Sequence, residues 1–236
     1  MAVKVTTAFS FFASGSFQGA TGDRVRVSQL AAHQCIRQGM DGLFARAERY
    51  VNSPCDDNSQ NERALGFASL AVFPKVQGAV DSTHVAIRGT PDQPGAIINR
   101  KGFHSINVQL MCKHKKRFLQ VCTRFPGSCH DAFILRQSNI PNLFVSGTGL
   151  KQWVLGDKGY PLQTWLMTPL RNPTNEPQEC SNDSHLTTGC VIEQTISTLK
   201  MRCRCLGRSG GAFSTRQRGS LGLLWCAVFC QWRGGR

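Results

Sequence analysis

The chain has 236 residues, of which 41% are hydrophobic, and its formal net charge is +14. This apolar fraction is enough for a packed core and excludes a fully disordered chain. The length fits one large domain, or one domain with a small appendage. The charge favours a polyanionic partner, with nucleic acid first and an anionic membrane surface second, while a generic basic protein is the alternative.

The cysteines and the apolar runs bear on the cellular compartment. There are eleven cysteines, an odd number with no Cys-x-x-Cys pair, which disfavours a structural zinc site. We interpret them as reduced and mostly buried. No signal-peptide pattern opens the chain, and the late apolar run 221–230 has half the ~20 residues that a spanning helix needs. The sequence therefore predicts a soluble, intracellular protein without a membrane anchor.

Residues 1–70 are predicted to be helical. Ser28 is a candidate N-cap for a helix that begins near Gln29, and the apolar spacing predicts a second helix over 40–51. Two short helices around a turn would form a small helix-turn-helix-like region. An ordinary helical cap on the next domain is the alternative, and we favour it slightly because 29–37 offers few side chains suited to base edges.

Residues 71–211 combine strand and helix patterns. Strands are predicted over 76–80, 105–112, 118–123, 153–156 and 165–167. The basic turn 113–117 would join the second and third strands as a hairpin. Helices are predicted over 131–138 and 184–203. This order of elements predicts an α/β fold, namely an RNase H-like mixed sheet with flanking helices.

The last segment, 212–236, has a different texture. It is rich in glycine and arginine, and no acidic residue follows Glu193. We interpret 212–236 as a divergent basic, Gly-rich tail. It is either a flexible segment that binds nucleic acid or a sequence that does not fold.

Acidic residues are scarce, and four of them are candidates for chemistry. Asp81 and Asp157 each follow a short apolar strand pattern, so their carboxylates could point into a shared cleft. Glu193 lies in the apolar segment 190–193, where a charge without a partner would be costly. Asp131 opens a predicted helix. Joint use of these acids would place several carboxylates at one site.

A cluster of carboxylates points to divalent cations. The carboxylates repel one another, and their hard oxygen atoms suit Mg²⁺ or Mn²⁺. Two such ions ~3.5–4 Å apart can activate water and stabilise the leaving oxygen of a phosphoryl displacement. Each acid also has a local alternative: Asp131 as a helix N-cap, Asp157 as a turn residue, and Glu193 as the ion-pair partner of Lys200 or Arg202.

Four segments together resemble the PIF/Harbinger transposase family: GAVDSTH over 78–84, NRKGFHS over 99–105, PGSCHD over 126–131 and LGDKGYP over 155–161. The resemblance extends over about residues 6–211. It implies an RNase H-like fold with an acidic metal site, a DDE-type nuclease centre. The implied ligands of the divalent metal are Asp81, Asp131, Asp157 and Glu193, and the implied catalytic residues are Asp81, Asp157 and Glu193.

The same resemblance implies partners and a compartment. It implies DNA as the partner, a separate Myb/SANT-like DNA-binding protein, and a location in the nucleus or in both nucleus and cytoplasm. Phosphate contacts are expected from Lys101, Lys115, Lys116 and Arg117, for which a merely solvated face is the alternative.

These observations predict a metal-dependent nuclease that hydrolyses phosphodiester bonds in DNA, with water as the nucleophile. The alternative is a catalytically inactive domesticated transposase that acts as a nuclear DNA- or protein-interaction module. Thr187, Gly189 and Gln194 favour this alternative, because they stand where the family usually has arginines.

Overall fold

The structure, a computed structural model, describes residues 2–71, 73–88, 97–145, 152–207 and 213–214. Its first part is helical: α1 (Ala2–Ser14), α2 (Gln18–Val25), α3 (Gln29–Phe44), α4 (Ala47–Tyr50) and α5 (Asp57–Ala68). The remainder contains β1 (Val76–Arg88), β2 (Ser105–Cys112), β3 (Phe118–Pro126), α6 (Asp131–Gln137), α7 (Ile140–Val145), β4 (Trp153–Leu155), β5 (Leu166–Met167), α8 (Glu176–Arg202), a 3₁₀ turn (Arg204–Leu206) and β6 (Phe213–Ser214).

A mixed sheet with the strand order β3-β2-β1-β4-β5 forms the centre of the fold. The pairs β1–β2 and β2–β3 are antiparallel, whereas β1–β4 and β4–β5 are parallel. β6 pairs with the last two residues of β1. An antiparallel meander extended on its first strand by parallel strands is the arrangement of an RNase H-like sheet. The predicted α/β fold class is therefore confirmed, with a helical region before the sheet.

β1 is longer than the sequence predicted. The prediction ended the strand at Val80 and placed Asp81 at its end, but β1 continues to Arg88. The polar residues after Asp81 resemble a strand terminus, yet β2 pairs with them from Ala79↔Cys112 to Ala86↔Ser105. Backbone pairing to a neighbouring strand thus overrides the low strand propensity of these side chains.

The other predicted elements of the sheet region agree with the structure, apart from their ends. β2 has the predicted bounds, and β3 continues to Pro126 rather than ending at residue 123. α8 begins at Glu176, eight residues before the predicted start, because Asn175 caps it: the Oδ1 atom of Asn175 accepts the backbone N–H of Gln178 at 3.1 Å.

The predicted second helix over 40–51 is wrong. α3 runs without a break from Gln29 to Phe44, and α4 is a separate four-residue helix. The N-cap is confirmed, since the Oγ atom of Ser28 accepts the backbone N–H of Ala31 at 3.2 Å. Gly39 interrupts the apolar pattern for a packing reason, because a Cβ atom there would lie 2.6 Å from the Cβ atom of Ala8. The glycine admits α1 close to α3 and does not mark a turn.

The helical region and the sheet share one hydrophobic core. Phe11 and Phe12 of α1 belong to the same buried cluster as Val85 of β1 and Ile196 of α8. A second cluster, on β1, β2 and their neighbours, includes Val80. The N-terminal helices therefore pack as a cap on the sheet, while the predicted division at residue 70 stays a prediction.

Two predictions concern residues for which little is described. The tail 212–236 lies outside the described residues except for 213–214, and so does the apolar run 221–230. Among the described helices, none combines the length and the apolar character needed to cross a membrane.

The shared core predicts that the helical cap and the sheet unfold together. Phe12 is 1% exposed and Phe17 is 68% exposed. We expect Phe12→Ala to lower the free energy of unfolding by about 3–5 kcal/mol in a single cooperative transition, and Phe17→Ala to change it little. Urea denaturation followed by far-UV and near-UV circular dichroism measures both. Two separate transitions in the Phe12→Ala variant would show that the cap is an independent unit.

Candidate acidic site

Two acids lie side by side where the parallel part of the sheet ends. The β1–β4 ladder stops at the pair Ala79↔Leu155. Asp81 and Asp157 each come two residues later on their own segment, so they lie at the same level beyond the last parallel pair. Ligand sites of open α/β sheets commonly lie outside the carboxyl ends of parallel strands.

The other two predicted acids come from helices. Asp131 begins α6, and its Oδ1 atom accepts a hydrogen bond from Nδ2 of Asn107 at 2.9 Å. Asn107 pairs across the sheet with His84, three residues after Asp81 on β1. The Asn107 side chain therefore fixes the Asp131 carboxylate beside the second half of β1.

Glu193 lies on α8, but it is not buried as its apolar neighbours suggested. Val191 and Ile192 pack into the core, whereas Glu193 is exposed. The expectation that the charge of Glu193 lies among buried apolar residues is wrong. Successive residues of a helix are rotated by 100°, which places Glu193 outside the apolar face.

The structure brings the four carboxylates into one electrostatic neighbourhood around Asp81. Burial is the largest cause that raises the pKa of Asp81, to about 7, and the backbone N–H of Ser82 opposes it. The negative charges of Asp157, Asp131 and Glu193 raise the pKa of Asp81 further. All three therefore act on the same carboxyl group.

The carboxylates do not form a ready coordination shell. Among the described residues, no three His, Cys, Asp or Glu side chains are close enough together to hold a metal ion. The donors nevertheless suit a hard divalent cation in kind, since they are carboxylate oxygens. The amide oxygens of Asn107 and Gln109 are also buried without a hydrogen-bond partner in the described part of the chain. Such oxygens are further possible acceptors beside the acids.

The structure agrees with some of the local roles considered for these acids and contradicts others. His130, not Asp131, is the N-cap of α6, so the capping interpretation of Asp131 is wrong. The Oδ1 atom of Asp157 accepts the backbone N–H of Gly159 at 3.0 Å, which agrees with a turn role and leaves its other oxygen uncommitted to that turn. Lys200, one of the ion-pair partners considered for Glu193, donates instead to the backbone oxygen of His84.

A buried tyrosine ties the Asp157 loop to the sheet. The hydroxyl of Tyr160 lies 3.0 Å from the Oγ atom of Ser82 and accepts a hydrogen bond from Nε2 of Gln109 at 3.3 Å. Ser82 directly follows Asp81, so this contact sets the position of the loop relative to β1. Sequence reasoning missed the role of Gln109, although a polar residue inside the apolar β2 pattern was a usable signal.

Lys200, which the sequence analysis considered as an ion-pair partner of Glu193, contacts β1 instead. Its Nζ atom donates a hydrogen bond to the backbone oxygen of His84 at 3.1 Å. Burial lowers the pKa of Lys200, and the charges of Lys101 and Asp81 act on it as well. Lys200 therefore supplies a partly buried cation beside the acids.

The four basic residues predicted to contact phosphate fall into two groups. Lys101 is exposed and lies within electrostatic reach of His84 and Lys200, on the side of the acids. Lys115, Lys116 and Arg117 lie in the β2–β3 turn, which follows Cys112 at the opposite end of β2 from Lys101. The predicted contacts therefore do not form a single surface around the acids.

An RNase H-like sheet with acids on its first strand, directly after its fourth strand and on α8 defines a class of DDE-type proteins. The sequence profile of the family described as DDE superfamily endonuclease matches residues 80–229. The chain belongs to this family, and its origin is that of a transposase-derived nuclease.

Curated relatives agree with this assignment. The chain is 37% identical over 226 residues to the Homo sapiens protein named "Putative nuclease HARBI1", covering 95% of this chain and 65% of that protein. It is 26% identical over 220 residues to "Protein ALP1-like" of Arabidopsis thaliana, covering 86% of this chain and 53% of that protein. The chain thus spans about two thirds or less of the length of these relatives. A solved structure of a pre-cleavage Mos1 transpososome aligns over 94% of this chain and 75% of the Mos1 chain, at 14% identity and with a TM-score of 0.27. The fold assignment therefore rests on the strand order alone.

The raised pKa of Asp81 predicts that, in the absence of divalent cations, the free energy of unfolding decreases as the pH rises. The unfolded chain ionises Asp81 near pH ~3.9, whereas the folded chain retains the proton up to about pH 7. Between these values the native state binds more protons, so its stability falls as the pH rises. We expect the free energy of unfolding of Asp81→Asn, relative to that of the parent chain, to increase by roughly 2–4 kcal/mol as the pH is raised from 4 to 8. Urea denaturation in EDTA measures this difference.

The control for this experiment is Asp183→Asn, which removes an exposed acid from the same helix that carries Glu193. Its effect on the free energy of unfolding should not vary over the same pH interval. A pH-independent effect of Asp81→Asn as well would contradict the described surroundings of Asp81.

Proposed function

We propose that this protein is a divalent-metal-dependent nuclease that hydrolyses phosphodiester bonds in DNA. The observation that carries the proposal is the convergence of three like charges on the partly buried Asp81, in a chain of the DDE superfamily endonuclease family. Crowded carboxylates that lack a neutralising cation are costly, and a bound Mg²⁺ or Mn²⁺ ion would remove that cost.

Each acid has a role in this proposal. Asp81, Asp157 and Glu193 would hold the metal as the catalytic residues, and Asp131 would be a fourth ligand. A bound divalent ion supplies an activated water and stabilises the charge on the leaving oxygen. Lys101 and Lys200 would offset the charge of a phosphate at this site, because both act electrostatically on its residues.

The contacts of the chain itself keep these groups in place. Asn107 orients the Asp131 carboxylate, and Tyr160 anchors the loop that carries Asp157 to the residue after Asp81. Both positioning residues are buried, so their own conformations are restricted. Asp81, Asp131 and Glu193 are thereby arranged on a strand and two helices, and the loop with Asp157 is fixed to the strand through Tyr160.

The substrate, the partner and the compartment are parts of the same proposal. A net charge of +14 supports a polyanion, and DNA is the polyanion on which a DDE endonuclease of transposase origin would act. We propose a Myb/SANT-like protein as the sequence-specific DNA-binding partner. The corresponding location is the nucleus, with a cytoplasmic pool.

A second candidate function is a catalytically inactive module that binds DNA or protein. Two observations favour it. The described acids do not form a coordination shell as they stand, and Thr187, Gly189 and Gln194 leave the helix surface near Glu193 without arginines. Metal binding and cleavage separate the two candidates.

The first test is cleavage of supercoiled plasmid DNA with and without Mn²⁺. We expect Asp157→Ala to abolish Mn²⁺-dependent cleavage while DNA binding persists, because the substitution removes a metal ligand and no core contact. Asp41→Ala, which removes an exposed acid from α3, is the matched control and should cleave like the parent chain. Equal cleavage by Asp157→Ala would remove the assignment of this residue.

The second test is calorimetric titration of the protein with Mn²⁺. We expect saturable binding that Glu193→Gln weakens by roughly tenfold, because a neutral amide replaces a charged oxygen ligand. Absence of Mn²⁺ binding to the folded parent chain would support the inactive-module candidate.

A further inference from the structure

A second site of opposite charge lies beyond the Ala79↔Cys112 end of the β1–β2 ladder. A cavity of about 330 Å³ opens between the segment after α4, the first half of α5 and the β2–β3 turn. Four basic residues line it: Arg49, Arg63, Lys113 and Arg117. Its volume falls in the usual range for sites of small ligands, ~300–1,000 Å³.

The acidic residue that lines this cavity is already neutralised. Glu62 receives Nζ of Lys115 at 2.8 Å and Nζ of Lys113 at 3.1 Å. The hydrogen bond from Lys115, followed by that from Lys113, lowers the pKa of Glu62 to about 2. Asp56 acts on Arg63 from the start of α5, and it does not line the cavity. The walls therefore keep an excess of positive charge.

Arg63 is the residue that most strongly indicates a missing anion. It is 5% exposed, and its guanidinium donates to neutral oxygens: Nε to Oε1 of Gln77 and Nη2 to the backbone oxygen of Pro54, both at 2.9 Å. Within the described ranges no carboxylate forms an ion pair with it, although the charges of Asp56 and Glu62 act on its guanidinium. A buried cation whose hydrogen bonds go to neutral oxygens is costly, so an anion in the cavity would stabilise it.

The geometry points to a phosphate group as the ligand, and we propose that this cavity is a phosphate-binding site. Guanidinium groups match the oxygens of phosphate through paired hydrogen bonds, and Lys113 would add a point charge. The cavity is larger than one phosphate, so the ligand would be a small phosphorylated molecule or the backbone of a nucleic acid.

This site is distinct from the acidic site and does not depend on cleavage. Lys113 comes three residues after Leu110, the β2 partner of Asp81, which is roughly 10 Å along an extended strand. A phosphate held here would therefore be bound away from the carboxylates, by side chains that the proposed reaction does not use.

The test is a calorimetric titration of the whole chain with inorganic phosphate in a buffer free of phosphate and divalent metal. We expect saturable binding that Arg117→Glu weakens at least tenfold, because the substitution reverses an exposed charge in the cavity wall. Arg49→Glu, in another part of the wall, should have the same effect. Arg37→Glu makes the same charge change on the exposed surface of α3 and should leave the affinity unchanged.

The outcomes separate the ligand sources and the two proposals. Displacement of phosphate by duplex DNA would identify the backbone of nucleic acid as the ligand, and displacement by AMP alone would identify a small phosphorylated molecule. Asp157→Ala should bind phosphate normally even when it no longer cleaves DNA. Absence of saturable phosphate binding, or equal loss in Arg37→Glu, would overturn the proposal.

Discussion

The pairing of β1 with two strands of unequal length organises this molecule. β2 pairs with β1 as far as Ala86, whereas β4 leaves β1 after Ala79. The second half of β1 therefore has one edge without β4, and Asp81 lies at the start of that edge. The Asp157 loop reaches the same level because it continues the strand that ends there. The acidic site follows from where one strand stops beside another that continues.

The sequence predicted the elements of the sheet well and their relations less well. β2 follows from alternation within its own residues, which is local information. The extension of β1 through Ser82, Thr83 and His84 depends on a partner strand twenty or more residues away, and local pattern does not carry it. The apolar spacing predicted a second helix from residue 40, whereas α3 continues to Phe44 and packs against α1 at Gly39, which is equally non-local.

The acids illustrate the same limit at the site. Their separate positions and their chemical type could be recognised in the sequence, as could their metal preference. The exposure of Glu193 could not, because it depends on which face of α8 meets the sheet. The hydrogen bond from Asn107 to Asp131 also joins residues from a strand and a helix whose approach only the fold determines. The basic turn was recognised as cationic, but its distance from the acids was not.

Gly15, directly after α1, packs closely against the backbone of Arg204, which follows α8. Its φ is +65°, and a Cβ atom there would lie 2.9 Å from the backbone carbonyl of Arg204. During synthesis, α1 therefore leaves the ribosome long before the segment it docks against exists. At ~5–20 residues per second the delay is on the order of 10–40 s. Throughout that time the apolar face with Phe11 and Phe12 has α3 as a partner but lacks β1, α8 and the 3₁₀ turn, so the nascent chain is exposed to chaperones and to aggregation until residue 206 has emerged.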